Sequence, residues 1–115
     1  IRDSSTSRGL GDVYKRQSVE YADNRISLYA AQYGKCAVTG RTLALHEIHC
    51  HHKRPKSAGG TDAYANLVIV SEAIHQLVHA TDEKTISRLL QTLRLDDQQR
   101  NKLNKLRKQA NLNAI

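Results

Sequence analysis

Two kinds of apolar spacing alternate along this chain, and each switch marks an element. Ala22, Ile26, Tyr29, Ala30 and Tyr33 recur at three- and four-residue steps, which predicts an amphipathic helix over 19–33 closed by Gly34. Cys36 to Gly40 forms a short turn-bearing segment. Residues 43–52 alternate well enough for a strand, and Pro55 stops it. Residues 53–66 are polar and hold Gly59-Gly60, so a loop with a tight turn follows. Leu67-Val68-Ile69-Val70 is a β-branched apolar run, hence a short buried strand. Ser71 can cap a helix carrying Ile74, His75, Leu77, Val78 and His79. Asp82 caps a second helical stripe through Ile86, Leu89, Leu90 and Leu93. Asp96 opens a third through Leu103 and Leu106 to about Gln109. No internal repeat interrupts this order. Helix, strand, loop, strand and then helices make an α+β domain over 18–115.

Residues 1–17 differ from the rest. Ser4-Ser5-Thr6-Ser7-Arg8-Gly9 and Leu10-Gly11-Asp12 show neither period, which predicts a disordered or non-native leader. The stretch resembles a translated cloning adaptor; a flexible linker to an upstream domain is the alternative. The chain opens on Ile1, so a piece of a longer protein is expected.

Composition sharpens the picture. The 115 residues suit one domain, but Phe, Trp and Met are absent and only 39% of positions are apolar. A metal that cross-links the segments would therefore add stability. Eighteen Lys and Arg against eleven acids give a formal charge of +7, which favours a polyanionic partner such as nucleic acid. From Arg100 onward the last helix carries Lys102, Lys105, Arg107 and Lys108 and no acid. Two cysteines, Cys36 and Cys50, are too few for a disulfide scaffold, and no secretory signal is visible, so a reducing cytosol is expected. No apolar run approaches the ~20 residues of a spanning helix.

The chemistry gathers in the middle of the chain. His75 and His79 lie four apart on one helix face, so both can address one metal ion. A third ligand from the pair His51-His52 would complete an open three-histidine site, and the remaining histidine is free to act as a base. Neighbouring strand residues point to opposite faces, so a backbone distortion at Lys53-Arg54-Pro55 is expected if both are to serve one cleft. Which of the pair is ligand and which is base stays open on spacing alone. His46 and His49 read as strand residues, although His49 shares a face with His51. Three imidazoles favour Zn²⁺, Ni²⁺ or Mn²⁺ by affinity. Among ions abundant in cells, one Mg²⁺ or Mn²⁺ is expected first.

Taken together, His51-His52-Lys53-Arg54-Pro55, Gly59-Gly60-Thr61-Asp62, Asn66-Leu67-Val68, His75 and His79 resemble the HNH, or ββα-metal, nucleases. The resemblance covers about 36–80. It implies a core of two short antiparallel strands and a helix, flanked here by an N-terminal helix and two C-terminal helices. It implies His51, His75 and His79 as metal ligands and His52 as the general base. Asn66 would fix the loop and help orient His52. Relatives often add two Cys-x-x-Cys pairs for a structural zinc; here only Cys36 with Thr39, and Ser71-Glu72, stand at those places, so no structural zinc is expected.

The segments 33–40, 49–53, 59–62, 77–81 and 102–108 are similar to the C-terminal endonuclease domain of bacterial group II intron reverse transcriptase/maturases. That resemblance implies a DNA endonuclease in the bacterial cytoplasm, at the nucleoid. It would nick the second DNA strand to prime reverse transcription. Intron RNA would be a partner through upstream domains. Lys53, Arg54, Lys56, Arg100, Lys105 and Lys108 are the candidate phosphate contacts. Another HNH enzyme of restriction or homing type, or a metal-stapled nucleic-acid-binding module without catalysis, are the competing readings.

Overall fold

A computed structural model describes residues 19–115, so the leader expected over 1–17 lies outside the described residues. Its elements run α1 (Val19–Ala31), β1 (Ile48–His52), β2 (Leu67–Ser71), α2 (Glu72–His79), α3 (Glu83–Leu93) and α4 (Asp97–Gln109). β1 and β2 pair antiparallel in register Ile48↔Ser71 through His52↔Leu67. The 14-residue excursion between them is built on 3₁₀ turns at Lys56–Ala58 and Tyr64–Asn66. The α+β class is as the hydrophobic pattern predicts, with helices around a two-stranded sheet.

The last three helices start where side chains supply caps. Ser71 accepts from the Ile74 amide, Asp82 from Thr85 and Asp96 from Gln99, each filling a donor that a helix start leaves unpaired. α2 buries Ile74, Leu77 and Val78 completely against the sheet and α4. From α4, Leu103 and Leu106 enter the same core.

Two expectations are corrected. The first strand begins at Ile48, because Leu45–Glu47 coils into a 3₁₀ turn with the Glu47 carboxylate accepting from the Ala44 amide. Leu43 is buried but Leu45 is 51% exposed, so the alternation over 43–47 came from a turn. In α1 the inward stripe is also displaced: Leu28 is buried, whereas Ile26 is 53% exposed and Tyr33 85%. The helix stops at Ala31, and Tyr33 and Gly34 take left-handed φ of 56° and 68°. The inward face of α1 is polar because it bonds to backbone. Tyr21 Oη donates to the Cys50 carbonyl, Asn24 Nδ2 to the Asp62 carbonyl and Tyr29 Oη to the Leu43 carbonyl. Gln32 closes the free side of β2, accepting from the Ile69 amide and donating to the Ile69 carbonyl, both at 3.0 Å.

Arg107 is the other departure from a simple polar–apolar reading. It is 3% exposed, and its Nη1 donates to the carbonyls of Leu77 and Ala80 at 2.8 Å. Its Nε donates to the Asn113 carbonyl at 2.7 Å. A helix leaves its last carbonyls without intrahelical partners and carries partial negative charge there. Arg107 meets both needs at the C-terminus of α2.

Candidate metal centre

β1 is regular through His52, so its side chains alternate between the two faces of the sheet. His49 and His51 turn toward α2; Cys50 and His52 turn toward α1. No backbone distortion brings His51 and His52 into one cleft, contrary to the expectation. The alternation instead settles which histidine joins the helix pair. His51, His75 and His79 each offer a ring nitrogen, and those atoms lie within 4.8 Å of one another. The ring centroids are 4.8 to 5.2 Å apart, and His49 stands 5.2 Å from His75 at the cluster's edge.

The cluster grades from core to surface. His51 is 1% exposed, His75 half-buried and His79 exposed, so one side of the group opens to solvent. Both ring nitrogens of His51 are buried with no hydrogen-bond partner among the described residues. An unsatisfied buried polar atom costs about 1–3 kcal/mol, and such orphans are rare in native folds. Burial, followed by the neighbouring His75, His79 and His52 rings, pushes His51 down to about 3. Burial and the rings of His79, His49 and His52 push His75 down to about 4. Burial and then Arg107 lower His79. At neutral pH all three are neutral imidazoles, the form that ligates metals. Residues and cation fit: three neutral nitrogens converge, one lacks any other partner, and a side is left open as in three-ligand metal sites.

His52 has a separate environment. Its Nε2 lies 2.8 Å from Asp62 Oδ1, and its ring stacks on Tyr21 with centroids 5.4 Å apart and planes 11° from parallel. Tyr21, pushed up to about 12 chiefly by burial, remains a neutral donor to the Cys50 carbonyl. Burial likewise raises the Cys50 thiol. Asp62 is buried, and Lys56 Nζ stands 3.2 Å from its carboxylate.

Asn66 holds the loop. Its Oδ1 accepts from the Arg54 amide at 2.9 Å, and its Nδ2 donates to the carbonyls of Arg54 and Thr61. Those bonds tie both ends of the excursion together, while the hydrogen bond at the His52 ring comes from Asp62. Gly60 completes the turn, since a Cβ there would sit 1.8 Å from the Arg54 carbonyl oxygen.

The basic candidates divide. Two adjoining surface cavities of about 450 and 180 Å³ share Lys53 and Gln109. Arg54 and Asn66 line the larger; Lys102 and Lys105 line the smaller. Lys102, Lys105 and Gln109 form one stripe of α4, so a positively charged trough runs from the loop to that helix. Lys56 is drawn to Asp62 instead. Arg100 and Lys108 are exposed elsewhere on α4 and line neither cavity.

Sequence reasoning missed Asp62, Tyr21, Lys102 and Arg107 as site or support residues. Arg107 had a signal, since it sits four residues after Leu103 on the apolar face. The link of Asp62 to His52 runs through a loop and had none. No helix among the described residues is long and apolar enough to cross a membrane. No family model, no curated protein and no solved structure matches this chain.

Proposed function

We propose that this protein is a metal-dependent DNA endonuclease of the HNH type, hydrolysing one phosphodiester strand at a time. The observation that carries the reading is His51, buried with both ring nitrogens lacking hydrogen-bond partners among the described residues and facing His75 and His79. A histidine kept neutral and unpartnered inside a core is costly unless it ligates. His51, His75 and His79 would hold one divalent ion, and the nitrogen donor set ranks Mn²⁺, Zn²⁺ and Ni²⁺ above Mg²⁺. Bound there, the ion supplies charge neutralisation at the scissile phosphate and the leaving oxygen.

The chain's own residues do the rest. His52 takes a proton from water as the water oxygen bonds to phosphorus. The P–O3′ bond breaks, and the departing 3′ oxygen takes a proton from solvent. A positioned base of this kind contributes about 10²- to 10⁴-fold. Lys53, Arg54, Lys102 and Lys105 would hold the phosphate backbone in the trough beside the loop. The similarity of five segments to group II intron endonuclease domains supports the narrower role: second-strand nicking that frees a 3′ end for reverse transcription. Intron RNA and the enzyme's other domains would then choose the site.

One observation favours a second reading. His52 leaves the sheet on the face opposite His51, as a metal-stapled binding module without catalysis would tolerate. Nicking of supercoiled plasmid by the full chain, with Mn²⁺, Mg²⁺, Zn²⁺ or chelator and beside His52→Ala, separates the two. Metal-dependent nicking lost in His52→Ala supports the nuclease. Equal DNA binding by both proteins, with no cleavage at any metal, supports the module.

A further inference from the structure

We propose that Asp62 is the positioning residue for His52, accepting from its Nε2–H so that Nδ1 is left as the nitrogen that takes the proton from water. The inference rests on the reading of His52 as the base. The hydrogen bond to His52 comes from the Asp62 carboxylate at 2.8 Å, to Nε2. An ionised carboxylate only accepts, so the ring donates from Nε2; when the ring carries a single proton, Nδ1 is the nitrogen left without one. The tautomer follows from the partner.

The surroundings hold that partner still. Asp62 is 8% exposed, so water competes little for its oxygens. Lys56 Nζ at 3.2 Å favours the carboxylate's ionised form. α1 grips the pair from outside, one helical turn apart: Tyr21 stacks flat on the His52 ring, and Asn24 Nδ2 donates to the Asp62 carbonyl at 2.9 Å. Asn66 is not the orienter, because its amide is committed to Arg54 and Thr61. The Gly59-Gly60 turn thus brings a carboxylate ten residues away in sequence back onto the end of β1.

The test is the ring tautomer, read by long-range ¹H–¹⁵N correlation on the full chain loaded with diamagnetic Zn²⁺. The His52 signals are identified by their loss in His52→Gln. The wild type should show protonated Nε2 and bare Nδ1. Asp62→Asn keeps the shape but presents an amide donor, so the proton should move to Nδ1. Nicking should then fall by about 10²- to 10⁴-fold, the scale of a base in the wrong tautomer, while Zn²⁺ affinity stays unchanged. Asp62→Glu, which restores a carboxylate, should recover the Nε2 tautomer and part of the rate. A wild-type ring protonated on Nδ1, alone or together with Nε2, overturns the proposal. If Asp62→Asn does not fold, the wild-type spectrum and Asp62→Glu decide. A wild type with the expected tautomer that nicks no DNA sinks the nuclease reading instead, so the two failures are distinguishable.

Discussion

Replacing His51 by leucine should make the metal-free protein more stable while destroying its metal site. The two ring nitrogens are buried and unpartnered, each at a cost of about 1–3 kcal/mol. Leucine removes both, and imperfect fit in the ring's place offsets up to about 1.5 kcal/mol. With each nitrogen at about 2 kcal/mol the balance is a net gain of about 2.5 kcal/mol, falling to about 0.5 kcal/mol at its conservative end. For a domain spanning 19–115 the larger figure corresponds to a rise in Tm of about 10 °C. Metal reverses the order. A ligand at about 100 times its Kd stabilises the wild type by about 2.7 kcal/mol and gives the variant nothing. Urea unfolding followed by circular dichroism, with chelator and then with Zn²⁺, reads both effects. A variant less stable than wild type in chelator by more than about 1 kcal/mol, at unchanged slope, would refute the reasoning. So would a variant that keeps the metal-induced gain.

Acid should act on the same group. The folded-state value of His51, about 3, lies below the ordinary 6.5, so the unfolded chain takes the proton first. Stability of the metal-free wild type should be full above about 6.5 and decline toward about 3, by up to about 5 kcal/mol from His51; unfolding free energies across that range check it, and a flat profile would count against a neutral buried ring. Arg107→Met strips the donors from the carbonyls closing α2 and should cost about 3 kcal/mol; calorimetric Zn²⁺ titration should also show weaker binding, because the turn carrying His79 frays. Removing one trough lysine, by Lys53→Gln or Lys105→Gln, should lower the salt slope of DNA affinity by about 0.9. Arg100→Gln should leave that slope unchanged, as fluorescence anisotropy over a salt series would show.

The parts of the fold that the sequence made legible are those where one local rule acts alone. Leu67 to Val70 read as a buried strand, and Ser71, Asp82 and Asp96 announce helix starts by a side chain reaching three residues on. His75 and His79 share a face by helical geometry, so their pairing is legible from spacing alone. What stayed hidden depends on partners brought together by the tertiary fold. The inward face of α1 looks polar because Asn24 and two tyrosines, with Gln32 just past its end, satisfy backbone groups of distant segments. Leu45 mimicked a strand position while sitting in a turn. The role of Asp62 exists only once the loop has folded back on β1.

The amide of Gln32 behaves as a third strand one residue long. A two-stranded sheet has as many open borders as it has strands, and each border is a template on which another chain can grow. By occupying both the donor and the acceptor of Ile69, Gln32 interrupts that template on β2 at its midpoint, and Ala37 adds a second bond to the same carbonyl. A peptide cannot add to this edge without first evicting a side chain. The protein can therefore keep its most apolar strand beside a lysine-lined trough without that strand becoming a seam for polymerisation.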